Sequence, residues 1–414
     1  MSRGRTLIPA FVGLTVVGCA GSARAAELTV TAQAVAAHGE FLTQAPPPPT
    51  QGVLCLVDSG VDVNPDTEPI LVGRESINGG TTDDVTSYHH GTYVAMVAGA
   101  AANGWGMVGA WPGLRMLSIR VLPEGSEHLG GDAYRDGILT CRQAKQARGI
   151  NVKVIELALG GPLQDRPDTE LADINEAVAR ARSDGISVVS AAGNDGGPVN
   201  VPAVLPNVLA VSASQRDGAP CSFSSRGPEV DLAALGCEMD VAQVPDGSVG
   251  IGQSTSLASA YVAGVLVALR SFRPDLTVEE AESTLTSTIS VGGNLDATAA
   301  FRSAGLSALV DTYTPPAIAP ATAPAPACDA RTTVCESPRL RKATRRGRRI
   351  TIRLDAVPPG LTTLVRVDGR RRYQGRSRRI VLHVRRFKAI SIRFTSRGRT
   401  PSMPVVLRRS ELRP

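Results

Sequence analysis

The chain has 414 residues, and 43% of them are hydrophobic, which is enough for more than one domain with a buried core. No stretch beyond the N-terminus reaches the length of a membrane helix, which excludes a spanning protein. The net charge of +6 is unevenly divided: residues 339–414 carry 24 Lys and Arg against 3 acids, and the other 338 residues carry 20 basic and 35 acidic side chains. These parts, at +21 and −15, are expected to be different domains.

Residues 1–25 have the three parts of a secretory signal peptide. Arg3 and Arg5 form a basic start, residues 7–17 an apolar middle, and Ala23-Arg24-Ala25 a small-residue cleavage site. Residues 16–19 also resemble a bacterial lipoprotein cleavage box, in which Cys19 becomes a lipidated N-terminus. The sequence therefore predicts an exported protein that is secreted, with a lipid anchor at Cys19 as the alternative.

Six cysteines remain after such a signal is removed, and an even number in an exported protein indicates disulfides. Short separations favour Cys328–Cys335 and Cys221–Cys237, which leaves Cys55–Cys141, although six cysteines allow about 15 pairings. A zinc site is less favoured, because the sequence has no CxxC pair or nearby His cluster.

Residues 51–313 alternate between apolar runs and helical patterns, after a short segment, 26–50, that ends in four prolines. The alternation predicts a doubly wound α/β domain, with helices on both faces of a mostly parallel sheet. The predicted strands are 53–57, 116–121, 152–158, 187–191, 208–212 and 230–233. The predicted helices are 92–102, 133–147, 168–183 and 256–270, with closing helices within 274–305.

Three polar residues stand where these strands end or these helices begin. Asp58 follows the first strand, and open α/β sheets place their sites at this end. His90 precedes a small-residue helix. Ser256 begins an apolar helix, where unpaired backbone N–H groups favour a negatively charged oxygen. Ser256 alone is typical of a helix N-cap, but the three together can form a nucleophile, a base and a residue that orients the base.

The order Asp, His, Ser and the sequences around these residues resemble the subtilases, the subtilisin-like serine proteases. The resemblance covers about residues 51–305. Its six ordered motifs are Asp58-Ser59-Gly60, His90-Gly91-Thr92, Ala191-Ala192-Gly193-Asn194, Phe223-Ser224-Ser225-Arg226-Gly227-Pro228, Thr255-Ser256-Leu257-Ala258 and Val262-Ala263-Gly264.

This resemblance implies a subtilisin-like fold and a secreted serine endopeptidase that cleaves proteins or peptides through an acyl-enzyme. Asp58 would orient the imidazole, His90 would be the general base and Ser256 the nucleophile. Asn194 would donate its side-chain amide to the oxyanion. No cofactor is implied, and a monomer is expected.

Two further stretches of the sequence carry expectations from the family. The run Leu157, Ala158, Leu159, Gly160 and Gly161 resembles the strand that pairs with the substrate backbone, although a core strand ending in a turn explains the same residues. Residues 103–109 resemble a loop that often binds calcium, with Asn103 and Asp66 as candidate ligands. One carboxylate and one amide are few for an ion that takes about six to eight oxygens, so a plain Gly-rich loop is favoured.

Several positions depart from the family pattern. Tyr93 and Tyr261 replace residues that are usually His, Ala260 replaces a usual Pro, and Ser254 replaces a usual Gly. Ser254 is expected to narrow the approach to Ser256 or to stiffen its turn. Residues 26–50 are too few for the folding-assistant propeptide of secreted subtilases. Val201-Pro202 stands where the family has a cis proline.

Residues 314–338 form a Pro/Ala-rich linker with the Cys328–Cys335 loop, and residues 339–414 form a basic domain. Apolar residues alternate at 350/352/354, 380/382/384 and 390/392/394, and Asp368-Gly369 has the composition of a hairpin turn. The pattern predicts a small antiparallel β-domain, with a disordered basic tail as the alternative.

The basic domain has three interpretations: it binds an anionic cell-surface polymer, it docks on the acidic domain, or it is a solvated charged surface. For the whole protein, two alternatives stand beside the protease. One is a catalytically silent binding protein with the same fold, and the other is a surface-attachment protein led by residues 339–414.

Overall fold

The computed structural model describes residues 17–18, 27–126, 129, 132–163, 166–244, 246–290, 292–315, 340–346, 349–354, 362–367, 370–383, 389–395 and 405–408. It divides into two compact units. The first unit has its described residues within 27–315, and the second has them at 17–18, where β1 (Val17–Gly18) lies, and within 340–408. The signal cleavage site, Cys19, the linker after residue 315 and the Cys328–Cys335 pair lie outside the described residues.

The first unit is built on a sheet of seven parallel strands in the order β3-β4-β2-β5-β6-β7-β8. In chain order the strands are β2 (Val53–Asp58), β3 (Leu71–Ser76), β4 (Arg115–Arg120), β5 (Val152–Leu157), β6 (Ser187–Ala191), β7 (Leu209–Ser214) and β8 (Leu232–Leu235). A separate antiparallel pair is formed by β9 (Met239–Ala242) and β10 (Val249–Gly252).

Eight α-helices accompany the sheet among the described residues. They are α1 (Ala32–Ala36), α2 (His90–Gly99), α3 (Ala133–Arg148), α4 (Asp168–Ser183), α5 (Thr255–Phe272), α6 (Val278–Thr286), α7 (Ala297–Ser303) and α8 (Ser307–Asp311). Short 3-10 helices lie at Glu40–Gln44 and Glu68–Ile70.

Helices cover both faces of this sheet because alternate residues of each strand point to opposite sides. Leu54 and Leu56 of β2 pack into the core on the side of α2 and α5. Cys55 and Val57 pack into the core on the side of α3 and α4. The predicted doubly wound α/β architecture is confirmed.

The buried strands and helices were predictable within a few residues, whereas three strands of the first unit, β3, β9 and β10, were missed. β3 is a half-buried edge strand that carries Arg74 and Glu75, so it lacks the apolar run that indicates the inner strands. The β9–β10 pair was also missed. Residues 27–50, expected to precede the domain, contribute Ala34, Phe41 and Leu42 to its hydrophobic core.

α5 crosses the centre of the first unit and is buried along nearly its whole length. Among the described helices, it is the one long and apolar enough to cross a membrane, so the expectation that no stretch reaches this length overlooked it. Since 94% of α5 is buried inside the protein, it has the surroundings of a core helix.

Two disulfides have the predicted partners. Cys55–Cys141 ties β2 to α3, and Cys221–Cys237 closes a loop between β7 and β9. The Val201–Pro202 peptide bond is cis, as the sequence predicted.

The second unit is antiparallel, as predicted. One sheet has the order β11-β12-β15 and the other β14-β13-β16-β17. Its strands are β11 (Leu340–Arg346), β12 (Arg349–Leu354), β13 (Thr362–Val367), β14 (Arg370–Gly375), β15 (Arg379–His383), β16 (Ala389–Thr395) and β17 (Val405–Arg408). Ile350, Ile352, Val365, Ile380 and Leu382 are buried, so the alternating apolar positions form the interior.

Candidate active site

The carboxyl end of β2 and the start of α2 bring Asp58 and His90 together. His90 Nδ1 lies 2.7 Å from Asp58 Oδ1, and both side chains are buried. Asp58 Oδ1 also accepts a hydrogen bond from the backbone N–H of Ser59 at 2.6 Å. The carboxylate is therefore fixed beside Nδ1, which leaves Nε2 of the imidazole as the nitrogen that can exchange a proton with a reacting group.

Burial and charge act in opposite directions on His90. Burial lowers the pKa of the imidazole, whereas the charge and hydrogen bond of Asp58 and the charge of Asp84 raise it. The balance lies above the ordinary pKa of 6.5. This environment favours the imidazolium, which is the form that a general base reaches after it takes a proton.

A second carboxylate, Asp84, organises the start of α2, and sequence analysis missed it. Its Oδ1 accepts hydrogen bonds from the Ser59 hydroxyl and from the N–H and hydroxyl of Thr86, and its Oδ2 accepts from the N–H and hydroxyl of Thr92. Thr86 in turn accepts the N–H of His90 at 2.9 Å. Asp84 thus fixes the turn that carries His90. An Asp two residues before a Thr, near a predicted helix start, was the available signal.

Ser256 is the second residue of α5. Its side chain is buried, and its hydroxyl donates to the carbonyl O of Ala158 at 2.8 Å. The N-cap of the helix is Ser254, whose Oγ accepts the backbone N–H of Ser256 at 3.0 Å. The interpretation of Ser256 as the N-cap is thus wrong by two residues, because Ser254 has that role.

Asn194 follows β6 and reaches the same helix start. Its Oδ1 accepts hydrogen bonds from the backbone N–H and the hydroxyl of Thr255, both at 2.9 Å. These two bonds orient the amide so that Nδ2 faces Ser254 Oγ at 3.3 Å. The amide of Asn194 and the backbone N–H of Ser256 therefore converge on one point, which is the arrangement required of oxyanion donors.

The comparison with known families agrees with this geometry. Residues 50–309, more than half of the chain, match the model of the subtilase family. The chain belongs to the subtilase family.

Relatives match the same region of this subtilase. Subtilisin E of Bacillus subtilis (strain 168) is 30% identical over 249 residues, and the match covers 58% of this chain and 61% of that protein. M-protease of Shouchella clausii (strain KSM-K16) is 28% identical over 277 residues, covering 65% of this chain and 68% of that protein. The matched part thus spans less than two thirds of subtilisin E.

A solved structure shares the fold of this subtilase. A protease from Pseudoalteromonas arctica PAMC 21717 has a TM-score of 0.55 and 24% sequence identity, and the match covers 68% of this chain and 96% of that chain. The likeness shows that the subtilisin-like α/β architecture is present.

The candidate substrate strand lies beside Ser256, the candidate nucleophile of this subtilase. Leu157 ends β5, and the side chains of Leu157 and Leu159 are buried. The carbonyl of Ala158 accepts from Ser256, and Gly161 exchanges two backbone hydrogen bonds with Val201. The run therefore contributes core packing as well as main-chain groups next to Ser256, which fits both interpretations of the sequence.

The candidate calcium ligands bind each other and the surrounding backbone. Asp66 Oδ1 accepts Asn103 Nδ2 at 3.3 Å, Asp66 Oδ2 accepts the N–H of Met107, and Asn103 Oδ1 accepts the N–H of Trp105. No group of three or more His, Cys, Asp or Glu that could hold a metal is found in the described part of the chain. Burial raises the pKa of Asp66 to about 7. The polar groups of the two candidate ligands are therefore engaged in hydrogen bonds within the protein.

The residues that depart from the family pattern have two kinds of surroundings. Tyr93, Ala260 and Tyr261 are buried in the hydrophobic core on the α2–α5 side of the sheet. Ser254, by contrast, contacts both candidate oxyanion donors. Of the four departures from the family pattern, Ser254 is therefore the one placed to affect the candidate oxyanion donors.

Proposed function

We propose that the protein is an exported serine endopeptidase in which Asp58, His90 and Ser256 form the catalytic triad. The observation that carries this proposal is the buried Asp58–His90 hydrogen bond at the end of β2, on a fold whose α5 presents Ser256. Membership of the subtilase family supports the same assignment.

The first half of the reaction forms an ester with the enzyme. His90 takes the proton of the Ser256 hydroxyl as the oxygen attacks the peptide carbonyl carbon, and the carbonyl oxygen becomes an oxyanion. The side-chain amide of Asn194 and the backbone N–H of Ser256 donate to that oxyanion. His90 then gives the proton to the leaving amine, the C–N bond breaks and the acyl-enzyme remains.

Water completes the reaction through the same groups. His90 takes a proton from the water as its oxygen attacks the ester, and then returns the proton to Ser256 when the acid product leaves. Asp58 holds Nδ1 of the imidazole by its hydrogen bond and stabilises the imidazolium. Residues 157–161 resemble the family strand that pairs with an extended peptide, and the run passes next to Ser256, so we propose that the substrates are proteins or peptides.

The alternative is a silent member of the family that binds without cleaving. An active-site fluorophosphonate probe distinguishes the two, because it reacts only with a serine that an adjacent base activates. We expect the full mature chain to be labelled at Ser256, as mapped by mass spectrometry, and Ser256→Ala to remain unlabelled. Ser271→Ala, at the far end of α5, is the matched control and should label like the wild type. A folded wild type that is neither labelled nor able to cleave peptides would overturn the proposal.

Export is supported by the predicted signal peptide and by the two disulfides, which persist in oxidising compartments. We propose that cleavage after Ala25 releases the protein from the cell. N-terminal sequencing of protein from the culture medium should begin at Ala26. A lipid-modified N-terminus at Cys19 in the membrane fraction would instead support the anchored form.

The second unit supports a role in binding a phosphate-rich polymer. Two rows of basic residues cross the sheet β11-β12-β15 at shared register positions, and these rows are Lys342, Arg353, Arg379 and Arg346, Arg349, His383. Their strand neighbours Ile350, Ile352, Ile380 and Leu382 are buried, whereas Arg349, Arg379 and His383 are exposed. Arg349, Arg379 and His383 therefore belong to the solvent-facing side of the sheet.

Like charges directly opposite each other on neighbouring strands destabilise a sheet. The stability of the sheet therefore does not explain why basic residues stand opposite one another here. A polyanion that crosses the strands would neutralise both rows, and the guanidinium group matches phosphate oxygens in bidentate geometry. Aromatic residues are few in residues 339–414, which disfavours recognition by base stacking. We propose that this face holds the protease on a phosphate-rich polymer at the cell surface.

Retention on immobilised polyphosphate tests this role, with the full mature chain carrying Ser256→Ala to prevent self-digestion. Retention should weaken steeply as salt rises, because phosphate contacts release counterions. The double variant Arg349→Glu/Arg379→Glu should elute at lower salt. The double variant Arg180→Glu/Arg302→Glu, at exposed positions of the first unit, makes the same change in net charge and is the matched control. Absence of retention at low salt, or equal elution of both charge-reversal variants, would contradict the proposal.

A further inference from the structure

One side chain of the protein contacts both candidate oxyanion donors. Ser254 Oγ lies 3.0 Å from the backbone N of Ser256 and 3.3 Å from Nδ2 of Asn194. A substrate oxygen that becomes an oxyanion is held at such distances by the same two groups. We propose that the Ser254 hydroxyl occupies the oxyanion hole of the resting enzyme and turns out of it when a substrate carbonyl enters. This inference rests on the proposed function.

The Ser254 hydroxyl has this position because it caps the N-terminus of α5. Ser254 has the extended backbone of an N-cap, with φ −177° and ψ 153°, and an N-cap serine accepts the N–H of the second or third helical residue. In α5 the second helical residue is Ser256. The N–H that satisfies the cap is therefore the N–H that catalysis requires. The glycine usual at this position in subtilases has no hydroxyl and leaves that N–H free.

The surroundings hold the hydroxyl in place. Thr255 fixes the amide of Asn194 by two hydrogen bonds to Oδ1, so Nδ2 has a fixed direction towards Ser254. Ser254 is only 4% exposed, so its hydroxyl has little contact with water. The Ser256 hydroxyl also donates to the Ala158 carbonyl. Both donors and the nucleophile are thus engaged within the protein before a substrate arrives.

Removal of the hydroxyl is expected to accelerate acylation. Each turnover must break the two hydrogen bonds that Ser254 accepts before the same donors can bind the oxyanion. An exchange of one or two hydrogen bonds changes a rate by about 3- to 100-fold. The effect belongs to kcat rather than KM, because the donors act mainly on the charge that develops in the transition state.

The experiment compares the full mature wild type with Ser254→Ala, Ser254→Gly and the control Ser271→Ala. Ser271 donates to the Val267 carbonyl at the other end of α5, so its variant also loses a buried hydroxyl from the same helix. We measure kcat and KM for a peptide amide and the inhibition constant of a peptidyl boronic acid, whose negatively charged adduct occupies the oxyanion hole.

Both Ser254 variants should raise kcat by about 10-fold and tighten boronic acid binding by a similar factor, with KM changed less than about 2-fold. Ser271→Ala should change neither constant. Loss of the cap destabilises the Ala variant by more than the Gly variant, so Ser254→Gly preserves the test if Ala folds poorly.

The outcomes separate the two proposals. Wild-type hydrolysis with folded Ser254 variants that are no faster, and that bind the boronic acid no more tightly, would overturn the oxyanion-hole inference alone. A wild type and variants that neither hydrolyse peptides nor react with the fluorophosphonate probe would overturn the proposed function, and the inference with it.

Discussion

Glu156 Oε1 lies 2.6 Å from Oγ of Ser259. Ser259 follows Ser256 by one turn of α5. Both side chains are fully buried, and Ser259 Oγ also lies 3.1 Å from the carbonyl O of Ser256. The Ser259 hydroxyl donates to Glu156 Oε1, and its one hydrogen is shared with the carbonyl O of Ser256. Burial raises the pKa of Glu156 well above its ordinary value, the Ser259 hydrogen bond lowers it, and the charge of Asp58 raises it further.

Glu156→Gln is expected to stabilise the protein increasingly as pH rises. Above pH 4.5 the unfolded chain loses the Glu156 proton while the folded chain keeps it, so unfolding of the wild type becomes easier by up to about 1.4 kcal/mol per pH unit. Gln cannot ionise, and its side-chain oxygen can still accept the hydrogen bond from Ser259. The measurement is the difference in Tm between variant and wild type at pH 5 and pH 8, with protein blocked by fluorophosphonate.

Glu176→Gln is the matched control, since Glu176 lies on the exposed face of α4, 61% exposed and paired with Arg180. Its Tm difference from the wild type should be nearly the same at both pH values. If the Tm difference between Glu156→Gln and the wild type is also the same at both pH values, Glu156 is not held as a neutral acid in the folded protein.

On the acid side, kcat/KM is expected to fall to half its maximum at a pH above 6.5. Burial lowers the pKa of His90, but Asp58 and Asp84 raise it past that ordinary value, and a protonated His90 cannot act as base. As pH falls through the pKa in the folded protein, kcat/KM should decline. A pH profile of kcat/KM on a peptide amide checks this, and a half-maximal value well below pH 6 would contradict it.

Each triad variant is expected to lose almost all activity. Ser256→Ala and His90→Ala should each reduce kcat by about 10⁶-fold, because the members of the triad act as a unit. Titration of the wild type with fluorophosphonate gives the concentration of active sites, and circular dichroism shows whether each variant is folded. A folded Ser256→Ala with activity near that of the wild type would show that another residue is the nucleophile.

The residues of the proposed triad could be singled out from the sequence because each has a local signal. Asp58 ends an apolar strand, and His90 and Ser256 stand at helix starts beside small residues. Asp84 and Glu156 have weaker signals, because the importance of each depends on burial by segments distant in sequence. The contacts of the Ser254 hydroxyl with Asn194 and Ser256 were beyond prediction, since they depend on a side-chain rotamer of Ser254 and on which end of the Asn194 amide faces it.

Chelation is expected to leave activity unchanged. Asp66 and Asn103 use their polar groups on each other and on the backbone of Met107 and Trp105. Calcium prefers several free oxygens that converge on one point. Activity and Tm of the mature chain, measured before and after EDTA and again after excess calcium, check this. A loss in EDTA that calcium restores would show a calcium site formed by other residues.

Asn194→Ala should reduce kcat by about 10²- to 10³-fold, because one of two oxyanion donors is lost. Asn194 also contacts the Ser254 hydroxyl, so the two residues should not act independently. In the Asn194→Ala background the hydroxyl has lost one of its two hydrogen bonds and is easier to displace. The roughly 10-fold gain from Ser254→Ala should therefore shrink to about 3-fold, a coupling that a double-mutant cycle on kcat measures. Equal gains in both backgrounds would show that Ser254 does not act through the amide of Asn194.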